Sequence, residues 1–237
     1  MSAVAWLLVL LPVAYLLGSV PFGLLIARAR GVNIRKVGSG NIGATNVGRS
    51  LGTRWFFVVL LLDLLKSALP LWIASAVVFN VPAPDRGPGL HALWLAVGIA
   101  ALLGHVFSLF LGFKGGKGVA TSAGITLGLV PYWVVPGMAA LAVFAGVFKL
   151  TRYVSVGSML AAGSFPLVFV GLGLLRGWAV FGALWPLTAA AVAIPCLIVW
   201  THRSNIRRLL AGTEQRYESG RQKDAEKIRV PPGQIRG

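Results

Sequence analysis

The residues of this chain able to do chemistry gather in three short strings: GSGNIGATNVGRSLG at 38–52, GFKGGKGVATSAG at 112–124 and THRSNIRRLLAGTE at 201–214. In the first, Gly38, Gly40, Gly43, Gly48 and Gly52 are interleaved with Ser39, Asn41, Thr45 and Asn46, and Arg49 follows. Glycine lets the main chain turn through positive φ and approach a ligand closely, and successive N–H groups in such a turn form a concave anion site. A phosphate fits there. In the second, Lys114-Gly115-Gly116-Lys117-Gly118 opens an apolar segment, with Thr121 and Ser122 one turn in. Lysine supplies a mobile point charge and a helix start supplies N–H donors, so this string also suits a phosphate or phosphoryl oxygen. In the third, His202, Asn205 and Leu209 recur at i, i+3 and i+7 and share one helix face. Arg203 and Arg207 point away from it, toward lipid headgroups. Glu214, one of six acids in the chain, is placed to orient a basic side chain.

Several familiar chemistries are excluded. The first string lacks the lysine-plus-hydroxyl ending of a P-loop, and its GxGxxG spacing has no βαβ context for a dinucleotide. The single Cys196 lies in an apolar run, so there is neither a disulfide framework nor a Cys/His metal cluster. The polar strings are rich in Arg and Lys and nearly free of carboxylates, which suits anions and offers little to Mg²⁺; no metal or cofactor is expected. None of His91, His105 and His202 has an Asp five residues on, so a His-x4-Asp acid–base pair is absent.

The elements that must position these strings are membrane helices. The chain of 237 residues is 57% hydrophobic, above the roughly 45–50% of soluble domains, and a bilayer crossing needs about 20 mostly apolar residues. Seven spans are read at 3–27, 55–79, 91–111, 118–133, 134–150, 154–175 and 179–200. The fourth is short, and only Pro131, Tyr132 and Pro136-Gly137 punctuate residues 118–150. No basic residue precedes the first apolar run, which is read as a retained helix rather than a secretory signal. The expected fold is an all-α membrane protein, a bundle of seven transmembrane helices over residues 1–216, followed by a charged, disordered tail at 217–237.

Charge sets the orientation. With seven spans, the loops on the side of the C-terminus hold 19 of the 22 Lys and Arg residues, against Arg86 and Arg176 on the other side. The basic side is cytoplasmic by the positive-inside rule, which puts the N-terminus outside and all three strings on the cytoplasmic face. The net charge of +16 follows from the same rule and from anionic lipids, without nucleic acid. Arg28, Arg30, Arg35 and Lys36 are read as headgroup anchors.

Within the spans, Asp63 and Lys66 at i, i+3 form a structural pair, with Lys66 toward the outer half, away from the strings. His105 faces other helices, either as a packing hydrogen bond or as support for the site. Gly124 with Gly128, Gly157 with Ala161, and Gly98 with Gly104 suit close helix packing in lipid.

The three strings in this order, with GHVFSLFLGFKGGKGVAT as the fuller second motif, Gly18-Ser19-x-Pro21-Phe22-Gly23 in the first span and Asp63-Leu64-Leu65-Lys66 in the second, closely resemble the bacterial membrane family of acyl-phosphate:glycerol-3-phosphate acyltransferases. The resemblance covers residues 10–216. It implies transfer of a fatty acyl group from acyl phosphate to the 1-hydroxyl of glycerol 3-phosphate, giving lysophosphatidic acid, on the cytoplasmic side of the bacterial cytoplasmic membrane. By motif position the catalytic residues are Ser39, Arg49, Lys117, His202 and Asn205. Gly40, Asn41, Gly43, Ala44, Thr45, Gly115, Gly116 and Gly118 shape the phosphate loops, and Glu214 and His105 support them. The alternative from another class is a transporter of an anionic metabolite, but no paired repeat with broken midplane helices is visible.

Overall fold

A computed structural model describes residues 2–217, and among them the regular structure is helical. The expected tail from 217 onward lies, past Tyr217, outside the described residues. The helices are α1 (Ala3–Ser19), α2 (Phe22–Ala29), α3 (Ala44–Leu51), α4 (Thr53–Phe79), α5 (Pro88–Val106), α6 (Val119–Gly128), α7 (Val134–Thr151), α8 (Val154–Leu175), α9 (Trp185–Thr201) and α10 (Arg203–Leu210).

The first apolar stretch is broken at Val20-Pro21. Proline has no N–H and pushes the preceding residue out of the helical region; Val20 is extended, at φ −60° and ψ 118°. Five stretches are long and apolar enough to cross a bilayer, Ala3–Ala29, Thr53–Phe79, Pro88–Leu111, Val134–Thr151 and Val154–Leu175, and α9 with α10, bent by 56°, adds a sixth if the pair is taken as one span. The expected fourth span is only the ten-residue α6, about 15 Å of helix against a hydrocarbon core of about 30 Å. Residues 129–133 continue it as turns, not helix.

Small residues let these helices touch through their backbones. A Cβ at Gly18 would lie 2.2 Å from the Ala101 carbonyl oxygen, and one at Gly104 would lie 2.2 Å from that of Tyr15, so α1 and α5 cross almost backbone to backbone. A Cβ at Gly124 would meet the Leu64 carbonyl oxygen at 2.1 Å, which seats α6 on α4. The main apolar core is built from α1, α4, α5, α6, α8 and α9 around Trp94, Leu102, Trp133 and Phe169. A second cluster, with Leu24, Ile34, Ile42, Val47 and Val59, glues α2 and the loop after it to α3 and α4. Leu61, Ile73, Leu160 and Leu167 are exposed apolar side chains, as a bilayer-facing surface allows.

Candidate active site

The first string is folded by a buried polar side chain, the second by the end of α5 and the third by a bend between helices. In the first it is Asn46, 2% exposed on α3. Its Nδ2 lies 3.1 Å from the Ile34 and Val37 carbonyl oxygens and 2.9 Å from that of Asn41, while its Oδ1 accepts from the Ser39 N–H at 3.0 Å. The Asn41 side chain accepts from the Gly43 N–H at 2.8 Å. Gly38 has φ +56°, and a Cβ on it would strike the Asn46 side-chain oxygen at 2.3 Å, so this turn needs both residues. The nest expected of the glycine N–H groups is therefore already filled, since the Gly40 N–H also donates, to the Val37 carbonyl, at 3.0 Å. What the loop presents instead is the Ser39 side chain and the start of α3, where the Asn46 N–H already donates to the Gly43 carbonyl and the Ala44 and Thr45 N–H groups have no acceptor within the helix.

The second string is held by α5. Gly115 N–H donates to the Val106 carbonyl at 2.9 Å and Gly116 N–H to that of His105 at 3.0 Å. These bonds satisfy carbonyls at the end of α5 that the helix leaves unpaired, so Gly115 and Gly116 shape the turn without offering their N–H groups to a ligand. Gly118, at φ +84°, then starts α6. Arg35, expected at the lipid surface, donates to the Lys114 carbonyl at 2.7 Å and ties the first string to the second.

In the third string the bend between α9 and α10 turns His202 and Asn205 inward, 3% and 5% exposed, while Arg203 and Arg207 face outward. His202 Nδ1 lies 2.8 Å from the Ile198 carbonyl oxygen. That oxygen can only accept, so Nδ1 carries the proton and Nε2 of the neutral ring keeps its lone pair. Asn205 links two charges: its Oδ1 accepts from Lys117 Nζ, and its Nδ2 donates to Glu214 Oε1 at 2.6 Å. Glu214 also accepts from Ser155 Oγ at 2.8 Å and Arg208 Nε at 2.7 Å. Burial works against the Glu214 charge, but these three hydrogen bonds hold its carboxyl below the ordinary range. Burial lowers Lys117 to about 8, opposed by Glu214 and reinforced by Arg208 and Arg49.

These groups line one cavity of about 680 Å³. Its polar end carries Ser39, Asn41, Gly43, Ala44, Thr45, Arg49, Lys117, Gly118, His202, Asn205 and Glu214; Gly40, Gly115 and Gly116 stay behind the wall. The other end is apolar, lined by Phe144, Phe148, Trp133, Phe165, Ala190 and Ile194. The segment 213–217 straps the polar end: Arg49 donates to the Gln215 carbonyl at 2.9 Å, Tyr217 N–H to the Arg152 carbonyl at 2.9 Å, and the Tyr217 ring sits 6.1 Å from Phe56 on α4 and 5.9 Å from Phe148 on α7.

Sequence reasoning named Asn46 only as one polar residue of the first string, and missed Ser155, Arg208 and Tyr217 as parts of this site. Asn46 had a legible signal, an amide one turn into the helix that follows the loop. Ser155 had none, because a serine in an apolar span reads as packing. Lys66, expected far from the strings, instead contacts His105 Nδ1 at 2.7 Å, and Asp63 and His105 belong to the cavity wall. Such an enclosure, cationic at one end and greasy at the other, can hold an amphiphile with an anionic head beside a hydroxyl, an imidazole lone pair and two cations.

Residues 8–212 match the family model described as glycerol-3-phosphate acyltransferase. The chain is 46% identical over 213 residues to a glycerol-3-phosphate acyltransferase of Geobacter sulfurreducens, covering 90% of this chain and 98% of the relative. It is 44% identical over 207 residues to one from a Roseiflexus species, covering 86% and 92%. Among solved structures it is similar to PlsY (YgiH), described as an integral membrane glycerol 3-phosphate acyltransferase. The glycerol 3-phosphate form superimposes with a TM-score of 0.75 at 38% identity, over 90% of this chain and 96% of that one. The lysophosphatidic acid form gives 0.73 at 37%, over the same shares.

Proposed function

Since the chain belongs to the glycerol-3-phosphate acyltransferase family, we propose that the acyl group it transfers comes from acyl phosphate and that the cavity described above is where transfer occurs. The protein is a multi-pass membrane acyltransferase that acts on glycerol 3-phosphate and makes lysophosphatidic acid. The observation that supports an acyl phosphate donor is the cavity itself: a cationic end with two helix starts, α3 and α6, continuous with an aromatic-lined apolar end. Both substrates bring a phosphate to the first, and the acyl chain occupies the second.

An acyl phosphate is a mixed anhydride, already activated, so the protein has to align the acceptor hydroxyl with the carbonyl and stabilise charge on the departing phosphate. Arg49 and Lys117 bind the phosphate charge. Asn205 is committed to Lys117 and Glu214, so it acts chiefly by aiming that ammonium, and Ser39 orients the acceptor. The 1-hydroxyl oxygen bonds to the acyl carbon, the bond from that carbon to the phosphate oxygen breaks, and phosphate leaves. The hydroxyl proton passes to His202 Nε2 or to an oxygen of the leaving phosphate.

The 19-to-2 division of basic residues supports an odd number of crossings, seven if α6 and residues 129–133 make a short one. The N-terminus is then outside, and the site faces the cytoplasm of a bacterial inner membrane. The membrane domain ends near residue 216. The deciding experiment mixes purified protein with palmitoyl phosphate and labelled glycerol 3-phosphate and looks for labelled lysophosphatidic acid. Product with palmitoyl-CoA at an equal rate would overturn the donor assignment. Impermeant cysteine labelling from outside, on a Cys196→Ser background, tests orientation: labelling at residue 2 and at 221 together would contradict an odd crossing number.

A further inference from the structure

The apolar end of the cavity stops on one indole. Trp133, 1% exposed, caps the start of α7 beyond the far end of α6, and so lies more than about 15 Å of chain from Lys117. Its ring meets Phe165, which lines the cavity, at 5.0 Å between centroids, and Phe169, which does not, at 6.2 Å. The walls close there too. The lining ends on α6 at Thr126, on α8 at Phe165 and on α9 at Ala190; one turn deeper, Leu129, Phe169 and Leu187 are fully buried in the same core cluster as Trp133, outside the cavity. Around this floor the walls are alanines, Ala161 and Ala162 on α8 and Ala190 and Ala191 on α9. A chain of methylenes passes between alanines and stops at an indole. The Trp133 Nε1–H is buried with no hydrogen-bond partner among the described residues. Burying a donor unpaired is unfavourable, so what this side chain supplies is bulk.

We propose that Trp133 determines acyl-chain specificity: the terminal methyl of the donor rests on its indole, and the depth from Lys117 to Trp133 sets the longest chain transferred well. This rests on acyl phosphate reacting in the cavity, as proposed above. With the phosphate held by Arg49 and Lys117 and the carbonyl beside the acceptor hydroxyl, the head of the chain is fixed, and each added methylene carries the methyl end toward the floor. A chain that just reaches the floor buries all its methylenes. A longer one has to buckle or pull its carbonyl away from the hydroxyl, which costs rate. The flank offers a competing course. Phe57 and Leu141 line the cavity and are also 60% and 56% exposed, so a chain leaving between α4 and α7 would pass into lipid and never meet Trp133.

The test uses the full chain in detergent and reads kcat/KM along a series of donors: lauroyl, myristoyl, palmitoyl, stearoyl and arachidoyl phosphate. Trp133→Leu deepens the floor. The first donor longer than the native optimum should gain about tenfold relative to that optimum, the scale of two buried methylenes. Ala161 shares a face of α8 with Phe165, one turn away. Ala161→Leu fills the space above the floor and should favour the next shorter donor over the native optimum by a similar factor. Opposed shifts from one enlarging and one filling change are what a floor produces, whereas a general loss of stability lowers all donors together.

An unchanged order of donors in either variant, or shifts in the reverse directions, would overturn the inference and send the chain through the flank. Should Trp133→Leu fail to fold, Trp133→Phe, which removes less volume, reads the same shift at smaller size. Should the native protein turn over none of these donors, the donor assignment fails separately. Calorimetric binding of lauroyl, palmitoyl and stearoyl lysophosphatidic acid then reads the floor: a relative gain for the longer chains in the Trp133 variant supports the role, and an unchanged order overturns it.

Discussion

Lys117, just ahead of α6, donates its ammonium to the amide oxygen of Asn205 on α10. The other end of that amide donates to Glu214, so one asparagine fixes the distance between the Lys117 cation and the Glu214 carboxylate. Reversing the amide and the carboxylate tests this arrangement. Asn205→Asp sets two carboxylates against each other and should lower kcat/KM at least about tenfold, the scale of one charged hydrogen bond. Adding Glu214→Gln restores a donor facing an acceptor and should recover several-fold of the loss in the same kinetic assay. No recovery would mean that Glu214 acts on something other than Asn205.

The Lys117 value of about 8 sets a pH limit. The charged form is the one that attracts phosphate, so deprotonation as pH rises past about 8 should raise KM for glycerol 3-phosphate by up to about tenfold per pH unit. The substrate phosphate becomes doubly charged only above about pH 6, which places the best affinity between the two. His202, Glu214, Arg208 and Arg49 share the polar end, and of these Glu214, held below the ordinary carboxyl range by its hydrogen bonds, stays charged across this window. Lys117→Arg should remove the alkaline rise while lowering the maximal rate; a rise that persists in that variant would assign the titration elsewhere.

Arg49 donates to the Gln215 carbonyl, and its guanidinium lies 5.9 Å from the Tyr217 ring centre. Lysine would keep its charge and lose the planar fork, so Arg49→Lys should be nearly as harmful as Arg49→Ala. Both should lose about 10- to 200-fold in kcat/KM for glycerol 3-phosphate. Arg35→Ala, which removes one exposed hydrogen bond to the Lys114 carbonyl, should cost several-fold at most. If the two alanine variants behave alike, the effect is one of general loop charge.

Asn46→Asp replaces a donor facing three carbonyl oxygens with a carboxylate, and Asn46→Ala leaves those oxygens and the Ser39 N–H without their partner. Each buried polar group so stranded costs about 1–3 kcal/mol. A clear fall in Tm should accompany a loss of kcat/KM of at least about tenfold, with Asp the worse of the two. Full activity in Asn46→Asp would show that the loop keeps Ser39 in place by other means.

The sequence by itself determined the membrane-helix class, the three strings and the family, because residue identity and helical spacing are local properties. His202 and Asn205 are both buried, but His202 sits at the break between α9 and α10 and not on one continuous helix with Asn205, so the bend there, which i, i+3 spacing does not record, is what turns both inward. Tertiary structure decided everything that depends on which backbones meet. Glycine N–H groups at 115 and 116 read locally as phosphate donors, but the end of α5 arrives with unpaired carbonyls and takes them. Lys66 reads locally as one half of an i, i+3 pair; only the crossing of α4 and α5 brings His105 to its other side. The ten-residue α6 ends where it does although the apolar run continues, because hydropathy records which residues tolerate lipid and does not record which backbone conformation the packed neighbours allow.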